Sequence, residues 1–124
     1  RPTEGVIEMK TYDENNVFAK MLKGDIPVNK IYEDDNAIAF ADIHPKAPVH
    51  LLVIPKGAYT DFSDFTARAS NDEIAGFFKA VGKVAEQRGL PENGYRLVMN
   101  TGRDGGQEVP HLHVHILAGK KLPA

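Results

Sequence analysis

Apolar residues recur along this chain with two different periods, and the changes of period divide it into elements. Val17, Phe18, Met21 and Leu22 form one stripe of a short helix that Asn15 or Asn16 can cap and Gly24 is placed to end. Beyond a turn at Asp25, Pro27 and Asn29, a strand is expected around Lys30 to Glu33, and the polar EDDN makes a hairpin turn. Ala37 to Asp42 (AIAFAD) puts Ile38, Phe40 and Asp42 on one face and three alanines on the other. So small a face lets another element pack closely. His50 to Ile54 reads as a third strand that Pro55 ends, and Asp61 to Ala69 as no more than a short helical turn. The clearest helix follows: Ser70 and Glu73 form a capping box, Ile74, Phe77, Phe78, Val81, Val84 and Ala85 repeat at helical spacing, and Gly89 stops it before Pro91. Tyr95 to Asn100 and Val109 to Leu117 are the last two strands, expected to pair as a hairpin. Strands in succession with helices at two insertion points predict an α+β domain on an antiparallel sheet of about five strands, with one long and one short helix. Residues 1–14 lack periodicity and are expected to be a loosely ordered arm before a domain over residues 15–124.

Composition narrows the partners. A chain of 124 residues fits one domain. A formal charge of −2 leaves no basic surplus for binding a nucleic acid polymer. The chain has no cysteine, hence no disulfide framework, which is compatible with a reducing cytosol, and a cytoplasmic location is expected. The longest apolar runs are about five residues, against roughly 20 for a membrane helix, so no membrane partner is expected.

The candidate chemistry lies in Val109 to Leu117, VPHLHVHIL. His111, His113 and His115 alternate with Leu112, Val114 and Ile116, so on a strand all three imidazoles share one face while the aliphatic residues anchor the other. Two chemistries fit. Alternating histidines on a strand can bind zinc, or one imidazole can attack phosphorus while its neighbours supply hydrogen bonds and charge. Just upstream, NTGRDGGQE carries Gly102, Gly105 and Gly106, which let backbone N–H groups turn toward an oxyanion. A phosphate held there would lie beside the imidazoles, which favours phosphoryl chemistry.

HLHVHIL fits the alternating signature of the histidine triad (HIT) family, and the chain resembles its Hint branch from about Asn15 to Gly119: NVFAKMLKGDIP, YEDDNAIAFADIHPKAPVHLLVIPK and GYRLVMNTGRDGGQEVPHLHVHILAG. The resemblance implies a HIT-like fold, a homodimer, and hydrolysis of phosphoramidates of purine nucleotides, such as AMP or GMP conjugates, through a nucleotidyl-histidine intermediate without metal or other cofactor. It makes His113 the nucleophile, with His115 and His50 orienting it or contacting phosphate and His111 supporting the set. It assigns the ribose hydroxyls to Asp42 with Ile43, the base pocket to Val17, Phe18, Phe40 and Leu52, and the phosphate to Asn100 and the backbone of Gly106, Gln107 and Glu108. Three positions depart from the pattern: Glu108 stands where relatives usually have Ser or Thr, Ala58 where many have His, and the tail AGKKLPA has Lys120 in a place often held by Arg. Dinucleoside polyphosphate hydrolysis and a nucleotide-binding regulatory module with vestigial activity are the alternative functions.

Overall fold

A computed structural model describes residues 11–124. Of the arm expected over residues 1–14, residues 1–10 lie outside the described residues. The elements run α1 (Val17–Lys23), β1 (Tyr32–Glu33), β2 (Ala37–Ala41), β3 (Val49–Pro55), α2 (Phe62–Arg68), α3 (Asn71–Gln87), a 3-10 turn (Leu90–Glu92), β4 (Arg96–Val98) and β5 (Val114–Ala118). One five-stranded antiparallel sheet has the order β1-β2-β3-β5-β4. The expected α+β architecture is present, and β4 and β5 pair as the expected hairpin across the glycine loop, Leu97 opposite Ile116.

The helix boundaries follow from their caps. Asn16 accepts from the Ala19 N–H at 2.8 Å to start α1, and Gly24 ends it with φ +81°, a conformation that favours glycine. The Ser70 hydroxyl likewise accepts from the Glu73 N–H at 3.1 Å. Only this half of the expected capping box forms, because the Glu73 carboxylate accepts instead from the Tyr59 hydroxyl at 2.6 Å. The segment expected to hold only a turn is a seven-residue helix, α2, so the domain has two short helices and one long one. Asp61 caps α2 and Arg68 pairs with Asp64 at 2.6 Å. Neither signal is periodic, which is why apolar patterning misses the helix.

The sheet has unlike faces. On one, the small Ala37 and Ala39 let α3 approach, and Phe77, Ala80, Val81 and Val84 pack there with Phe65 of α2 and with Leu112, Val114 and Ile116. Full burial of one large apolar side chain contributes roughly 1.5–3 kcal/mol, whereas an exposed ion pair contributes about 0–1 kcal/mol. This cluster therefore holds the helices on the sheet. The other face carries Ile38, Phe40, Leu52 and Ile54 under Phe18, Met21 and Leu22 of α1, with Val28 and Val109 beside them, and so short a helix leaves part of that face open. Among the described residues no helix is long and apolar enough to cross a membrane.

Candidate active site

The open part of the second face is a cavity of about 390 Å³, within the range of small-molecule sites. His113 and His115 enter it from the last strand, and His50, adjacent to it on β3, completes the wall. The rings of His113 and His115 lie 5.1 Å apart, and His50 Nε2 is 2.9 Å from His115 Nδ1. The alternation holds through all three histidines, since Leu112 joins the opposite core and the rings of His111 and His113 both meet Phe18, but only two of the three reach the cavity. Ladder pairing with β3 ends at Val114 opposite Val53, and the Leu112 N–H donates to the Tyr59 carbonyl in another loop. The His111 ring is covered by Phe18 and Tyr12, fully buried and off the cavity.

The hydrogen bonds assign the protons. The Lys46 N–H donates to His50 Nδ1 at 3.0 Å, which puts the His50 proton on Nε2. That Nε2–H donates to His115 Nδ1, so His115 carries its proton on Nε2. His113 Nδ1–H donates to the His111 carbonyl at 2.7 Å, leaving the lone pair on Nε2. Asp42 lies 3.3 Å from His50 Nε2. Asp42, His50 and His115 are close enough to surround a cation. Loading one would require moving the His50 proton to Nδ1, against the Lys46 N–H, so the trio is set as a hydrogen-bonded relay and not as a ligand cage.

Burial depresses every one of these imidazoles below its ordinary pKa. Desolvation holds His115 at about 4, helped by its histidine neighbours. It also lowers His113, although the His111 carbonyl, Asp42 and Glu108 pull the other way. His50 is lowered by burial against the opposing charge of Asp42. Neutral rings at pH 7 are what a nucleophilic imidazole requires.

Of the other residues singled out from sequence, Val17, Phe18, Phe40 and Leu52 line one end of the cavity, an apolar slot. The Phe18 ring meets those of Phe40 and His113 edge-on or tilted, at 5.7 and 5.1 Å. Asp42 and the 86% exposed Ile43 stand at the rim. Asn100, Gly106 and Glu108 also line the cavity, but Gln107 does not. Its amide instead braces the loop, accepting from the Gly102 N–H at 2.9 Å and donating to the Thr60 and Val109 carbonyls at 2.7 and 3.0 Å. The backbone cradle is narrower than expected. The N–H groups of Gly106 and Gln107 donate to Arg103 and Gly102 carbonyls within the loop, while that of Glu108 has no partner among the described residues. Sequence reasoning missed the Lys46 N–H, which any residue type can supply, and Tyr12, which donates its hydroxyl hydrogen bond to His111 Nδ1 from a segment without periodicity.

An antiparallel α+β domain that presents two neutral imidazoles of defined tautomer to a cavity beside a glycine loop has a geometry suited to chemistry on a phosphate ester or amide. The HIT domain family model matches residues 23–122, and the chain belongs to that family. At the family level this makes it a nucleotide hydrolase. It is 59% identical over 113 residues to an uncharacterised 13.2 kDa HIT-like protein of Azospirillum brasilense, covering 91% of this chain and 93% of the relative. It is 42% identical over 109 residues to the purine nucleoside phosphoramidase of Escherichia coli (strain K12), covering 88% and 91%. The structure of a histidine triad protein from Clostridium difficile superposes with a TM-score of 0.82 at 43% identity, covering 92% and 98%.

Proposed function

We propose that this chain is a purine nucleoside phosphoramidase that cleaves the P–N bond of AMP–amine or GMP–amine conjugates through a nucleotidyl-histidine intermediate. The observation that carries the reading is His113: its Nδ1–H is tied to the His111 carbonyl at 2.7 Å, so the Nε2 lone pair is left for the cavity. In the first displacement this lone pair attacks phosphorus, a new P–N bond forms, and the bond to the amine breaks. The leaving nitrogen takes a proton from water in the cavity, while the neutral His115 ring donates its Nε2–H hydrogen bond to the phosphoryl group and keeps its proton. Water then attacks the phosphorus, the bond to His113 Nε2 breaks, one proton of the water returns to solvent and the mononucleotide is released, so two easier displacements replace one hard hydrolysis. His50 holds His115 in the donor tautomer, and the Glu108 N–H with Asn100 takes up phosphoryl charge. The apolar slot fits a purine stacked against Phe18 and Phe40, and Asp42 with Ile43 fits the ribose.

Dinucleoside polyphosphates fit less well. Among the described residues Lys46 is the single Lys or Arg lining the cavity, with Asp42 and Glu108 as opposing carboxylates, a poor balance for several consecutive phosphates. The family resemblance also implies a homodimer. The edge strand β4 supports it by leaving Leu97 46% and the adjacent Tyr95 40% exposed.

The test is labelling with a phosphorus-labelled adenosine phosphoramidate, quenched in alkaline denaturant because a phosphorus–histidine bond is lost in acid. Wild type should turn over and carry label on His113, and His113→Ala should bind AMP but neither turn over nor label. Turnover without label on His113 refutes the covalent route. Equal, negligible turnover of both proteins with AMP affinity retained identifies a regulatory nucleotide binder instead, and faster cleavage of a diadenosine polyphosphate moves the assignment to that substrate.

A further inference from the structure

The mechanism above uses the backbone carbonyl of His111 but not its ring, which is among the largest fully buried side chains. That ring is anchored at both nitrogens. His111 Nε2–H donates to the Pro55 carbonyl at 2.9 Å at the end of β3, and Nδ1 accepts from the Tyr12 hydroxyl. The two aromatic rings meet edge to face at 5.6 Å. Tyr12 is itself held in place, because the chain just after it is folded onto the start of α1. The backbone N–H and side-chain amide of Asn16 both donate to the Asp13 carbonyl, at 3.2 and 2.7 Å, and the Asn15 N–H donates to the Asp13 carboxylate at 2.9 Å. Burial also raises the Tyr12 pKa, so the group is a phenol and a donor.

We propose that Tyr12 is a positioning residue for the nucleophile, clamping the His111 ring so that the His111 carbonyl stays aimed at His113 Nδ1. The inference rests on the reading of His113 as the attacking group. Its physical basis is a shared residue. His111 has no ladder partner, so its orientation is set by its N–H to the Val109 carbonyl, by Pro55 and by Tyr12. Removing the phenol O–H leaves a buried acceptor unpaired, and a buried unpaired group is strongly disfavoured. The ring can regain a partner only by rotating or exchanging its tautomer, either of which gives up the Pro55 bond and tilts the carbonyl next to it. His113 then loses the acceptor that keeps its proton on Nδ1, and part of the population carries it on Nε2, where no attack is possible. Tyr12 does not line the cavity, so nucleotide binding is untouched.

Tyr12→Phe keeps the ring and removes only the oxygen. With an adenosine phosphoramidate of a fluorescent amine, kcat should fall roughly tenfold, the scale of a small misplacement of a reacting group, while KM stays constant. Nitrogen-15 spectra of the histidine side chains, recorded without substrate, should show His113 as a single Nδ1–H tautomer in wild type and as a mixture in the variant. 3-Fluorotyrosine at position 12 retains the O–H and should retain wild-type kcat and the single tautomer, which keeps the test decisive if Tyr12→Phe folds poorly. An unchanged kcat and tautomer in Tyr12→Phe overturns the proposal, as does equal impairment by 3-fluorotyrosine. Because the spectra need no substrate, they test Tyr12 even if wild type fails to hydrolyse the phosphoramidate, an outcome that counts against the proposed function alone.

Discussion

Lowering the pH from 7 to 4.5 protonates His111 in the unfolded chain but only slightly in the folded one, where burial lowers its pKa from 6.5 to about 4. The folded state binds fewer protons, so stability falls with pH, beginning near the unfolded pKa and levelling off below the folded one. At about 1.4 kcal/mol per pKa unit, integration between these values gives a loss on the order of 2–3 kcal/mol at pH 4.5 from His111 alone. That is a large share of the roughly 5–15 kcal/mol that holds a domain of this kind together. His115, also lowered to about 4, acts in the same direction. The assay is urea unfolding at fixed protein concentration from pH 7 to 4.5, for wild type and His111→Gln. Glutamine keeps a donor and an acceptor but does not titrate. Carboxylates protonate in both proteins and cancel in the difference. The variant should start less stable, yet its stability should decline by roughly 2–3 kcal/mol less over the interval. Parallel curves would show that His111 gains its proton as readily folded as unfolded, and the burial argument would be wrong.

Two further outcomes follow from the site. His113, His115 and His50 are all held below their ordinary pKa, so kcat/KM should be level from pH 8 down to about 6.5 and decline only at lower pH; a pH–rate profile with its acid midpoint above 6.5 contradicts the assigned neutral rings. In Gly105→Ala the new Cβ would run into the Thr101 carbonyl oxygen, and shifting the loop that carries Glu108 should lower kcat/KM roughly tenfold. Unchanged steady-state kinetics would show that the loop does not hold phosphate.

Much of this architecture is legible where a local physical rule and the tertiary structure agree. The alanine face of AIAFA anticipates the approach of α3, and Asn16, Gly24 and Ser70 mark helix ends because capping is a contact within one turn. The aliphatic side of HLHVHIL is buried as alternation requires, since Leu112, Val114 and Ile116 all join the core. The failures come where one interaction depends on distant chain. His111 keeps the shared face but not the cavity, because Phe18 and Tyr12, far away in sequence, cover its ring. Gly106 and Gln107 look like free donors until loop carbonyls in their own turn claim them. Tyr12 precedes every periodic element and meets a residue 99 positions away, a pairing that no window of sequence contains.

The row of imidazoles from His115 through His50 stops at the peptide nitrogen of Lys46, and an amide cannot be recharged by solvent during a turnover. The wire is a cul-de-sac. On the proposed chemistry, the hydrogen ion that the departing amine takes up must therefore arrive through the mouth by which the nucleotide entered. A seated nucleotide thus corks its own supply, and the second half of the reaction waits until the amine has gone and left room for the water molecule that is its reactant.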